Sequence, residues 1–184
     1  MTILNFGSLI IDHVYQVPHF VRPGETLPAT QYRVFAGGKG FNQTVAIARA
    51  GLPVSHAGAI GENGRWLLDL LTAEAVDIAG VVVTDVPTGH GIIQVTPQGE
   101  NAILQYPGAN RTITRAHIDR VLARFGRGDL LVLQNEINDI AYLLQRAHTR
   151  GVRVVMNPAP MDAANSKRRS TNQSVSSTAS ARSV

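Results

Sequence analysis

Phe35-Ala36-Gly37-Gly38-Lys39-Gly40-Phe41-Asn42-Gln43-Thr44 is the stretch on which the fold turns: an extended segment breaks at glycines and runs straight into a helix. Gly37, Gly38 and Gly40 allow positive φ and let a ligand lie against bare backbone. From Asn42 to Ala50 the residues are mostly small and helix-compatible, with Phe41, Val45 and Ala48 on one stripe and Gly51-Leu52-Pro53 as the stop. The glycines therefore sit at a helix N-terminus, where free N–H groups and the positive end of the dipole favour an anionic or oxygen-rich ligand. Two familiar phosphate loops are excluded. A P-loop needs glycine at position 33 and Ser or Thr after the lysine, where this chain has Arg33 and Gly40; a dinucleotide fingerprint needs glycine where Gln43 stands. On the glycines alone, a plain structural turn explains the stretch equally well.

Working outward, the chain has 184 residues, 44% of them hydrophobic, enough for one core of ordinary size. There are no cysteines, which excludes disulfides and thiolate zinc sites and suits a reducing, cytoplasmic setting. No apolar run is long enough to span a bilayer, and Met1 to Ile11 lacks the basic start of a signal peptide, so no membrane partner is expected. The net charge of +4 is unevenly spread. Residues 162–184 carry Lys167, Arg168, Arg169 and Arg182 against Asp162, leaving the first 161 residues with thirteen basic and twelve acidic groups. Nearly neutral, that part offers no footprint for nucleic acid. The Ser/Thr-rich tail from 162 has hardly any apolar residues and reads as disordered.

In chain order, Thr2 to Ile11 reads as one buried parallel strand with Asp12 at its C-terminal end, the edge where ligands bind in open α/β sheets. A turn or capping role fits Asp12 equally well on sequence alone. Val14–Phe20 and Leu27–Phe35 form a first hairpin, Gly91–Thr96 and Asn101–Tyr106 a second; lying about 14–35 and 90–106, both must project from the sheet or form an antiparallel edge of it. Further strands are expected at 54–60, 81–83, 130–133 and 152–156. Helices are expected at 65–75, at 115–125 behind a Thr114 cap, and at 140–150. Strand alternating with helix predicts a doubly wound, mainly parallel sheet. None of the six histidines has metal-ligand spacing.

Ala36-Gly37-Gly38-Lys39-Gly40-Phe41-Asn42-Gln43-Thr44, then Ala50-Gly51 and Gly58-x-x-Gly61-x-x-Gly64, resembles the N-terminal signature of the ribokinase (PfkB-type) carbohydrate kinases. Gly7-Ser8, Pro23-Gly24-Glu25-Thr26, Pro107-Gly108-Ala109-Asn110, Gln134-Asn135-Glu136 and Asn157-Pro158-Ala159-Pro160 extend the likeness to about residue 161. The resemblance implies ATP-dependent phosphorylation of a sugar hydroxyl, with ATP and Mg2+ as cofactors and the two hairpins as a β-lid that excludes water and also joins a homodimer. It implies substrate contacts by Asp12, Gly37, Gly38, Lys39, Asn42 and Glu136. Asn42 and Glu136 each retain a local capping role as the alternative.

Two departures stand out. Ribose-type kinases usually carry asparagine where this chain has Ile10, and isoleucine cannot hydrogen-bond a sugar hydroxyl. The family's Gly-Ala-Gly-Asp turn, with its proton-removing aspartate and anion hole, does not occur, and the nucleotide half of the family pattern is missing. Domain 1–161 is therefore expected to be a truncated sugar-binding part, inactive alone. A non-catalytic sugar-binding or dimerising remnant and a nucleoside kinase-like fragment are the alternatives. The cut sheet should leave apolar surface bare beside Val152–Met156.

Overall fold

A computed structural model describes residues 1–161; the tail expected from 162 onward lies outside the described residues. Five strands form one wholly parallel sheet: β1 (Ile3–Phe6), β4 (Val54–Gly61), β5 (Asp77–Thr84), β8 (Leu130–Gln134) and β9 (Arg153–Asn157). Their order is β5-β4-β1-β8-β9. Helices α1 (Lys39–Arg49) and α2 (Arg65–Ala73) cover one face, α3 (Arg115–Leu122) and α4 (Ile140–Thr149) the other. Strands buried on both faces read as near-continuous apolar runs, and β4 is buried at all eight positions.

Alternation along each strand sends side chains to two separate cores. Leu4, Phe6, Leu131 and Leu133 meet Ile118, Val121, Leu122 and Leu143 of α3 and α4. Ile3, Leu130 and Val132 meet Phe41, Leu67 and Leu71 of α1 and α2, with Trp66 packed at the margin. Each fully buried leucine contributes about 1.5–3 kcal/mol. The expected Thr114 cap is present: its side chain accepts from the backbone N–H of His117.

The two expected hairpins are both found, but they are parts of one sheet. β2 (Ile10–Gln16) pairs antiparallel with β3 (Gln31–Gly37), and β6 (Gly89–Val95) antiparallel with β7 (Asn101–Tyr106). Parallel pairing of β2 with β6 joins them as β3-β2-β6-β7, standing off the main sheet.

One expectation fails. The apolar run from Ile3 to Ile11 is not one strand: β1 ends at Phe6 and the chain leaves the main sheet at Gly7, so Asp12 lies inside lid strand β2 rather than at the C-terminal end of β1. Only glycine fits at the point of departure. A side chain on Gly7 would lie 2.8 Å from the Cα of Gly40, because α1 begins directly beside it. Leu9, Ile10 and Ile11 are all buried at the junction of the two sheets, so hydropathy shows no break there.

At the other margin, β9 pairs only with β8 among the described residues. Val154, Val155 and Met156 are 37%, 54% and 39% exposed, and as consecutive residues they bare apolar surface on both faces of the sheet.

Candidate functional site

The order of the main sheet reverses between β1 and β8. From β1 the chain steps outward through β4 to β5, then crosses to β8 and β9 on the other side. Such a switch point leaves a crevice at the strand C-termini. Here the crevice is filled from three directions: Ser8 follows β1, Glu136 follows β8, and the N-terminus of α1 closes over both.

α1 begins one turn earlier than its pattern suggests, at Lys39, with Gly38 as N-cap at φ 94°. Gly38 is the glycine of the loop that needs positive φ; Gly37 and Gly40 are required by close approach. A methyl on Gly40 would lie 2.6 Å from the carbonyl carbon of Gly7 and the carbonyl oxygen of Ser8, both backbone. A methyl on Gly37 would lie 2.5 Å from the carboxyl carbon of Asp12.

The first-turn N–H groups are not free. The Lys39 N–H donates to Glu136 Oε2 at 2.9 Å, Gly40 N–H to Ser8 Oγ at 3.2 Å, and Phe41 N–H to the Ser8 carbonyl at 2.9 Å. The Ser8 hydroxyl in turn donates to Glu136 Oε2. Glu136 thus occupies the anion position that the glycine stretch announced, and Lys39 Nζ meets its other oxygen at 2.7 Å. Burial pushes the Glu136 carboxyl up, but the hydrogen bonds from Lys39 and Ser8 and the charge of Lys39 outweigh it and hold the group below the ordinary glutamate value.

Across the crevice the lid contributes Asp12. Burial, then the nearby charge of Glu136, raises its carboxyl above the ordinary aspartate value, against the opposing pull of His13 and Lys39. Between them lies a cleft of about 190 Å³. Asp12, Lys39, Asn42 and Glu136 line it together with the backbone of Gly38. Gly37 does not; it stands behind Asp12 and makes room for that carboxylate. Asn42 is the fourth residue of α1, and no cap is formed by its side chain.

Beside Ile10 of β2, residues that no short motif picks out complete the cleft: Ile93 from β6, and Ile103 and Gln105 from β7. A buried amide network supports its floor. Asn5 Nδ2 donates to the Gly40 carbonyl at 2.9 Å, while Gln134 Nε2 donates to Asn5 Oδ1 at 2.9 Å and to Gln43 Oε1 at 2.6 Å. Asn110 clamps the sheet junction, its Oδ1 accepting from Leu9 N–H and its Nδ2 donating to the Leu9 carbonyl. Asn110 and Gln134 both stand in the quoted motifs, but their work inside the protein needed the fold to be seen.

Among the described residues, no group of three or more His, Cys, Asp or Glu residues is placed to hold a metal ion. The Glu136 carboxylate is engaged by Lys39 and Ser8, and the first-turn N–H groups of α1 named above are already paired. These residues by themselves do not fit a triphosphate with its magnesium ion. No described helix is long and apolar enough to cross a membrane.

Comparison with known proteins accords with this geometry. The chain is 36% identical to ribokinase of Haemophilus influenzae over 164 residues, which is 86% of this chain and 54% of that protein. The solved ribokinase of Cryptococcus neoformans in complex with ADP superposes with a TM-score of 0.76 at 37% identity, covering 91% of this chain and 54% of that one. Arabidopsis thaliana ribokinase complexed with ribose and ATP gives 0.75 at 26% identity, covering 88% and 54%. The chain thus spans about half the length of the relatives it matches. With the pfkB family carbohydrate kinase pattern matching residues 2–173, this chain belongs to the pfkB family of carbohydrate kinases.

Proposed function

We propose that this chain holds the sugar of an ATP-dependent carbohydrate kinase, and that the 184-residue chain binds sugar without transferring phosphate to it. One observation carries the reading. Asp12 of strand β2 and Asn42 of helix α1 face a common cleft, and no hydrogen bond to either side chain is present among the described residues. A carboxylate and an amide left open in this way suit a ligand rich in hydroxyl groups. In this reading Asp12 accepts hydroxyl protons, Asn42 both donates and accepts, and Lys39 is fixed by Glu136 at the rim. Resemblance to the family supports ATP and Mg2+ as the cofactors of the whole enzyme. Without the family's Gly-Ala-Gly-Asp turn no proton-removing aspartate is positioned, so turnover is not expected.

The test pairs two measurements on the purified chain. Calorimetric titration with ribose, fructose, other sugars and nucleosides should show binding to at least one sugar. A coupled assay of ADP release with ATP, magnesium and the same panel should stay at the sugar-free blank. Sugar-dependent ADP release would overturn the inactive part of the proposal, and a folded chain that binds no sugar would overturn the rest.

The lid also suits a second copy of this chain. On its face opposite Asp12, Tyr32, Val34, Leu104 and Tyr106 are 52%, 44%, 69% and 46% exposed, an apolar and aromatic surface larger than isolated exposed residues create. Sedimentation velocity of wild type and Leu104→Lys tests it: a dimer that the substitution dissociates is the expected result, and a monomer at all concentrations refutes it.

A further inference from the structure

We infer that β9 pairs with β9 of a second copy of this chain, antiparallel and centred on Val155, so that two five-stranded sheets become one. This surface is separate from the lid face and from the cleft. Arg153 N–H donates to the Asp129 carbonyl at 3.1 Å, so the backbone groups of Arg153 are turned toward β8. Alternation turns Val155 and Asn157 the same way, and it points the N–H and C=O of Val154 and Met156 out of the sheet edge. Those outward groups have no partner strand among the described residues.

A second copy matches them. Across a two-fold axis through Val155, Val154 lies opposite Met156 of the second copy, and each such pair exchanges both N–H···O bonds. The neighbouring registers fail. Centring on Val154 sets Met156 against Val152, which precedes the strand, and centring on Met156 sets Val154 against Pro158, which has no N–H. The side chains agree with the central register. Val155 meets its own copy on the face shared with Val132, while Val154 and Met156 meet on the face shared with Leu131 and Leu133. All three are more than one-third exposed, so the pairing covers bare apolar surface on both faces. Arg153 falls opposite Asn157, and no charge meets its like. β9 also carries neither the proline nor the bulge that commonly guards an edge. Two strands of five residues make a small interface, below about 1,200 Å², so the pairing belongs to concentrated solution.

The chain has no cysteine, so one introduced cysteine reports on one contact. Val155→Cys and Arg153→Cys are each made in the full 184-residue chain carrying Leu104→Lys, which removes the lid as a meeting surface, and circular dichroism checks the fold. In the inferred register the two copies of position 155 have Cα atoms about 4.5 Å apart, within disulfide range, whereas those of position 153 are about 14 Å apart and cannot be bridged. In a glutathione redox buffer, Val155→Cys should give roughly tenfold more covalent dimer than Arg153→Cys, which measures random collision. Equal yields, or no dimer from either, overturn the inference. Should a cysteine variant misfold, sedimentation velocity decides instead. Concentration-dependent association of the Leu104→Lys chain, abolished by adding Val155→Lys, is the expected result. A monomer throughout, as when another segment of the chain covers β9, overturns the inference.

Discussion

Glu136→Gln is the substitution that most directly probes how the site is held together. Glu136 is 5% exposed in its side chain and accepts from the Ser8 hydroxyl, the Lys39 N–H and the Lys39 ammonium. Glutamine keeps the shape and one acceptor oxygen, but it turns an N–H2 group toward a cation and abolishes the ion pair. Breaking a fully buried pair by removing one partner costs about 3–5 kcal/mol. The Lys39 side chain is 38% exposed and can rehydrate, which brings the expected loss to about 2 kcal/mol. For a domain of this size that is a fall in Tm of about 4–8 °C.

The pH dependence supplies a signature that a packing defect would lack. The folded value of Glu136 lies below the ordinary one, so its contribution is fully present above the ordinary glutamate value and is lost as pH falls through the depressed one. The wild-type advantage over Glu136→Gln should therefore be largest at pH 7 and shrink in acid. Urea denaturation at a series of pH values measures it. A gap that stays constant into acid, or that is absent at pH 7, refutes the ion-pair account. Glu62→Gln, which breaks an exposed pair with Arg65, is the control and should leave Tm unchanged.

Gly40→Ala drives a methyl into the backbone of Gly7 and Ser8 and should cost about 3 kcal/mol or prevent soluble expression, whereas Gly24→Ala, with nothing within 4 Å, should cost only about 1–2 kcal/mol for its φ of 78°; thermal melts compare them. His56 is wholly buried and its pKa is lowered to about 4, chiefly by burial. It is neutral when folded, and stability should fall by about 3 kcal/mol as pH drops from 6.5 to 4, a loss that His56→Gln should flatten in denaturation curves. Since Asp12 has a raised value, sugar affinity should weaken as pH falls through it, and titration of Asp12→Asn should show about tenfold weaker binding with that pH dependence gone. Val155→Lys places a charge on the bare β9 margin and should reduce light scattering on warming without lowering Tm.

Most of the parallel sheet was legible in the sequence because its strands are short apolar runs between glycine stops, and a strand such as Leu130–Gln134 has no other reading. The glycine stretch likewise announced an anion site at a helix start. Its occupant was not legible, since Glu136 lies 97 residues from Lys39 and only the parallel neighbourhood of β1 and β8 brings them together. Asp12 lines the cleft but belongs to a different strand from the one expected, because hydropathy cannot distinguish a residue buried within one sheet from one buried where two sheets meet. Ile93, Ile103 and Gln105 carried no signal of their own. Alternation along β6 and β7 says that they share a face, and only the parallel joining of β2 to β6 says which face that is.

Gly38 is the single residue between Gly37, where lid strand β3 ends, and Lys39, where α1 starts. Its neighbour Lys39 gives the N–H that Glu136 holds, and its other neighbour, Gly37, pairs with Ile10, two residues before Asp12. The lid is therefore geared to the helix rather than hung beside it. A swing that carried Asp12 toward or away from Asn42 would pull on Gly37 through its pairing with Ile10, and so on Gly38 and the Lys39 N–H next to it. A ligand that drew the lid in would thus pull on the backbone next to the Lys39–Glu136 clasp, and would be felt at a carboxylate it need not touch.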